Sequence, residues 1–138
     1  ARSWLCAPQG QGWGLDWSAL ALSRLEDGEL AGRAADRLLR SGGFGLVIVD
    51  LGGVPSLPAP LLGRLQGLAR AHESALVFLT RKSAGAPSLS PLIPFRVQVD
   101  WQAADPWRLL AHIEVVKDKH RGPGERIERE YDGPLCLR

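Results

Sequence analysis

The segments LVIVD (46–50) and SALVFLT (74–80) are apolar on successive residues rather than on alternate ones. Such runs are expected of strands buried on both faces, the habit of parallel sheets covered by helices. Parallel strands need a crossover. The spacing supplies one near 59–72, where Leu61, Leu62, Leu65, Leu68 and Ala69 fall on one helical face. A second helix is predicted over 28–41, with Leu30, Ala31, Ala34, Ala35 and Leu38 on its apolar face. Asp27 reads as its N-cap and Gly42-Gly43 as its stop. Upstream, SWLCA (3–7) and ALALS (19–23) are two more runs of strand length, divided by the glycine-rich loop PQGQGWGLD.

The last third alternates more visibly. FRVQVD (95–100), AHIEVVK (111–117), ERIEREY (125–131) and PLCLR (134–138) read as strands, and the turns HRGPG and DGP divide the last three. They are expected as antiparallel hairpins appended to one edge of a mainly parallel α/β sheet, in one domain over residues 1–138. The stretch RKSAGAPSLSP (81–91) is the one expected to be mobile.

Composition narrows the function classes. A formal net charge of +2 is not that of a protein that wraps nucleic acid, although a local basic patch remains compatible with it. Only Lys82, Lys117 and Lys119 are lysines; the other basic residues are arginine, which fits a GC-rich coding sequence. Cys6 and Cys136 form no CxxC and have no histidine pair at ligand spacing, so a zinc site is not expected and a reducing cytoplasm is. No apolar run approaches the ~18 residues of a membrane span, and no signal peptide opens the chain. The sequence contains no methionine, so it is expected to lack its natural beginning.

Few residues carry a chemical signal. Asp50 closes a buried strand, where α/β proteins often hold Mg²⁺ and phosphate, yet no GxxxxGK[ST] motif accompanies it. The plainer role is a strand-end carboxylate capping backbone N–H groups. Lys117 and Lys119 stand two apart on a strand leading into His120 and Arg121, a spacing suited either to phosphate contact or to a soluble strand end. Arg81 and Lys82 open the loop after a buried strand and are a further candidate contact for DNA or a partner. Trp101 and Trp107 flank QAADP, and one of them could anchor a partner. His72, His112 and His120 lie in different elements without a nucleophile motif, which argues against a hydrolase.

Taken in order, LLRSGGFGLVIVD, LARAHESALVFLTR, FRVQVD and HIEVVKDKHRGPGERIEREYDGPL resemble the core of the RecA recombinase family from its second core strand onward. LDWSALALSRLEDGELA (15–31) fits the same family, and the resemblance covers nearly the whole chain. It implies a RecA-like, mainly parallel sheet flanked by helices, with C-terminal antiparallel hairpins. The family's P-loop strand would precede this chain; it lies inside the sheet, so its loss would leave open edges and favour self-association. The resemblance matches Asp50 to the metal-side carboxylate, and Lys117 and Lys119 to the pair that reaches a neighbour's nucleotide across a filament interface. Ala7, Pro8 and Gln9 stand where the family has its catalytic glutamate, Arg81 stands for its nucleotide-sensing glutamine, and both DNA-binding loops are shortened.

With those losses the chain is similar to the ImuA proteins, RecA-related accessory factors of bacterial damage-induced mutagenesis. The resemblance implies a bacterial, cytoplasmic and nucleoid-associated protein of the SOS response and translesion synthesis. It would be non-catalytic, with Asp50 a vestige, binding RecA or an error-prone polymerase-like subunit, and single-stranded DNA weakly or indirectly. Lys117, Lys119, His120 and Arg121 are the expected contact residues. No cofactor is expected, ATP and Mg²⁺ entering only with an upstream segment. The alternatives are a RecA-type ATPase and strand-exchange protein whose P-loop lies outside this chain, and a single-stranded DNA-binding regulator of recombination.

Overall fold

The structure, a computed structural model, describes residue 14 and residues 16–25, 27–53, 57–105 and 107–132. The chain divides into two compact units, one of residues 24–96 and one of residues 1–23 with 97–138. The segments SWLCA and PLCLR, expected as strands, the glycines GQG, and Cys6 and Cys136 lie outside the described residues.

In the unit of residues 24–96, helix α1 (Gly28–Ser41) begins and ends at the residues its caps predict. The Asp27 carboxylate accepts from Leu30 N–H at 2.7 Å, satisfying one of the donors that a helix start leaves open. Gly42, at φ 67°, takes the left-handed conformation that closes a helix, and its N–H donates to Leu39 O. The buried face agrees with the expected one in part: Ala35 is buried and Ala31 and Leu38 pack against the core, but its centre is shifted. Gly32, Ala35, Asp36 and Leu39 are buried, whereas Leu30 is exposed. The shift follows from Gly32: a Cβ there would stand 2.7 Å from Leu61 Cδ2, so the missing side chain lets the second helix approach.

Strand β1 (Leu46–Gly52) leads to helix α2 (Ala59–Ala71) and then to strand β2 (Ala75–Thr80), which pairs parallel with β1. Ser74 Oγ donates to Phe44 O at 2.7 Å and Ala75 N–H to Gly45 O at 2.8 Å, fixing the strand entries side by side. Val47, Val49 and Leu51 are buried in one core with Leu39, Leu57, Leu62, Leu65 and Ala69. The expectation of strands buried on both faces is corrected here. Leu46 and Ile48 are 53% and 51% exposed, and Val77 and Leu79 are also exposed. Both helices cover the Val47 face, and alternation turns every second side chain of each strand away from them.

In the other unit, Trp17–Ala19 form one turn of 3-10 helix, and the residues that follow, through Leu25, are irregular. The strand expected at ALALS is therefore absent; Leu20 and Leu22 are exposed and have no ladder partner among the described residues. Strands β3 (Phe95–Asp105), β4 (Arg108–Asp118) and β5 (Arg126–Asp132) form a three-stranded sheet in that order, β4 and β5 antiparallel. The hairpins were expected on an edge of the parallel sheet. They instead form a sheet of their own, with no ladder between β2 and β3.

Candidate functional site

Asp50 lies near the C-terminal end of β1, on the face that carries Leu46 and Ile48. Its Oδ1 accepts from Gly52 N–H at 2.8 Å. The register slips between Asp50 and Gly52, and Gly52 has φ 53°. Such a bulge points a backbone donor out of the ladder, and the carboxylate satisfies it. Arg81 follows β2 directly, and its N–H donates to Gly52 O at 2.9 Å. Asp50, Arg81 and Lys82 therefore share one end of the parallel pair, with Lys82 half-buried.

Mg²⁺-nucleotide is the cofactor that the resemblance raises, and this edge fits it poorly. One oxygen of Asp50 is held by the bulge, and no group of three or more His, Cys, Asp or Glu among the described residues could hold a metal ion. The loop after Arg81 is pinned at two points: the Arg96 guanidinium donates to Ala86 O, and to Ser83 O at 2.7 Å. Leu89 packs against the core and Ser90 is buried.

The second group forms the turn after β4. The strand ends at Asp118, so Lys117 lies on it and Lys119 opens the turn; the two do not share a strand face as their spacing suggested. Asp118 Oδ1 accepts from the N–H groups of His120 at 2.7 Å and Arg121 at 3.1 Å. Those bonds, His120 first, hold its carboxyl below the usual carboxylate range. Gly122 and Gly124 adopt φ 85° and 114°, and Gly124 N–H returns to Val115 O. The result is a braced turn with Lys119, His120 and Arg121 exposed.

His112, which sequence left without a role, lies with its Nδ1 3.1 Å from Glu128 Oε1. Asp105 accepts from Trp107 N–H and from Arg108 Nε, and both bonds, Trp107 first, lower its pKa. Two further features were not legible in the sequence. An apolar cleft of ≈ 340 Å³ lies between α2, β2 and residues 92–94, walled by Leu62, Ala69, Leu76, Phe78, Leu92 and Ile93. Leu62 and Ala69 were read from the sequence only as a helix face, and none of the candidate site residues lines the cleft. The other is an exposed ring contact between Trp101 and Tyr131, with centroids 5.6 Å apart.

No helix among the described residues is long and apolar enough to cross a membrane. No protein-family model matches the chain, and no curated protein matches it.

Proposed function

We propose that the chain is a non-catalytic, RecA-like accessory protein of bacterial DNA-damage tolerance, acting by contact with RecA or an error-prone polymerase-like subunit. The reading starts from the resemblance of its ordered segments to that family. The observation that carries the contact surface is the braced turn, in which Asp118 fixes the backbone and leaves Lys119, His120 and Arg121 outward. A preformed cationic loop loses little conformational freedom on docking and suits an acidic partner surface.

The vestigial reading of Asp50 is supported by its bond to Gly52 N–H, a structural task that needs no ligand. The test is capture of RecA by the 138-residue chain, with and without single-stranded DNA and nucleotide, beside Lys117→Glu/Lys119→Glu. Capture that charge reversal abolishes is the expected result. Capture indifferent to the reversal removes the turn from the interface, and no capture of RecA or of the polymerase subunit refutes the reading.

A further inference from the structure

The register of β4 and β5 sorts one hairpin into two unlike faces. Leu110, His112 and Glu114 stand opposite Glu130, Glu128 and Arg126. On that face Arg108 pairs with Glu130 at 3.3 Å, His112 with Glu128 at 3.1 Å and Arg126 with Glu114 at 3.0 Å. The other face carries Leu109, Ala111 and Ile113 opposite Tyr131, Arg129 and Ile127. Here the acidic residues of β5 are absent, and Arg129 is the only charged residue of the paired stretch.

Strand β3 adds Trp101 to this second face, since its ring meets that of Tyr131 across β4 at an interplanar angle of 59°. Alternation places Val99 beside it. The central strand is covered, with Ala111 and Val115 buried, while the flanking residues are open: Trp101 is 58% exposed and Ile127, Arg129 and Tyr131 are exposed too. Among the described residues Arg129 has no ion pair or side-chain hydrogen bond, in contrast to the paired arginines behind it. Along the hairpin, the eight residue steps from Leu109, which pairs Tyr131, to Lys117 span about 26 Å. At that far end begins the cationic turn.

We infer that this face binds single-stranded nucleic acid. Unpaired bases would stack on the rings of Trp101 and Tyr131, while Arg129 and the 119–121 turn take the phosphates. Two exposed rings at one end, a free guanidinium beside them and further cations along the same edge match the aromatic platform and basic track that such ligands require. The sorting of charge favours a polyanion over a protein, because the β4–β5 part of this face presents Arg129 with no carboxylate opposite it, and Asp105, which the same alternation adds from β3, is taken up by Trp107 N–H and Arg108 Nε. The inference shares the 119–121 turn with the proposed contact surface but adds Trp101, Tyr131 and Arg129, so substitutions at Trp101 and Arg129 make the two readings fail separately.

The experiment is fluorescence anisotropy of a labelled oligothymidylate of about 20 nucleotides with the intact 138-residue chain. Binding that weakens steeply with salt is expected. Trp101→Ala weakens it roughly 5- to 100-fold and Trp101→Phe by less than about threefold, because phenylalanine still offers a ring to a base. Arg129→Glu also weakens it and reduces the salt slope, and circular dichroism verifies that both exposed-site variants fold. Four results overturn the inference: no binding by the wild-type chain at low salt; equal binding of duplex; loss confined to changes at Lys119 and Arg121; or Trp101→Ala abolishing capture of a protein while leaving the oligonucleotide bound.

Discussion

Removing Arg64 should cost more stability than removing Asp36, although the two form one ion pair. Arg64 Nε lies 2.6 Å from Asp36 Oδ1, Arg64 Nη2 donates to Oδ2 at 3.1 Å, and Arg40 Nη2 reaches Oδ2 only at 3.5 Å. The partners differ in environment: the Asp36 side chain is 13% exposed and that of Arg64 57%. Asp36→Ala leaves a guanidinium that water can solvate, so only the pair's net value is lost, about 1 kcal/mol. Arg64→Ala leaves a mostly buried carboxylate with one long contact to Arg40, and the desolvation left uncompensated raises the cost to about 2–3 kcal/mol. Urea denaturation should be followed at 222 nm, because both α-helices belong to the unit of residues 24–96. Tryptophan emission would miss it, since none of the five tryptophans falls in that unit. Equal costs, or a larger cost for Asp36→Ala, would refute the argument that burial of the carboxylate governs the pair.

Leu65 is fully buried, so Leu65→Ala should cost about 3–4 kcal/mol in the same titration; a loss below about 1 kcal/mol would mean that the core collapses around the gap. Asp50→Asn keeps an oxygen for Gly52 N–H and should be nearly neutral, whereas Asp50→Ala should lose about 1 kcal/mol. A Mg²⁺-dependent rise in melting temperature that Asp50→Asn removes would instead make the residue a working ligand. The folded pKa of Asp118 is depressed, so its hold on the turn is present above its ordinary value of 3.8 and is lost as pH falls through the folded value. Amide exchange at His120 and Arg121 should accelerate in that window, and Asp118→Ala should abolish the step. Light scattering at tens of micromolar should show self-association, reduced by Ile48→Lys/Val77→Lys on the uncovered strand face; a monodisperse wild-type monomer counts against it.

The elements legible in the sequence are those whose signals are local. Asp27 and Gly42 bound α1 because a cap is decided within one turn of the helix. The α2 face reads correctly because Leu62, Leu65 and Ala69 meet a flat strand surface, where periodicity alone sets burial. The face of α1 reads only in part, with Ala31, Ala35 and Leu38 at the core but Leu30 outside it, since its centre depends on Gly32 approaching Leu61, a partner remote in sequence. Asp36 was illegible for the same reason: its burial is compensated by Arg64 on another helix. An apolar run such as LVIVD signals a strand, but the number of faces covered depends on which layers are present.

The candidate site divides along the same line. Each cation of the turn is named by its own stretch of sequence, and the brace at Asp118 spans three residues, so the group was visible as KDKHR before any fold was known. Trp101 and Tyr131 are separated by the whole of β4, and composition records only that the chain has five tryptophans and one tyrosine. What joins them is register. Leu109 stands opposite Tyr131, so a slip of one residue would turn Tyr131 to the ladder face and bring Glu130 or Asp132 beside Trp101. The ion pairs on the opposite face oppose that slip, because it would take Glu130 from Arg108 and Arg126 from Glu114. The paired charges thereby act on the aromatic face through the backbone: they hold the register that keeps carboxylates away from it. Charge reversal at Glu128 or Glu130 should therefore disturb the Trp101–Tyr131 contact, although neither residue lies on that face.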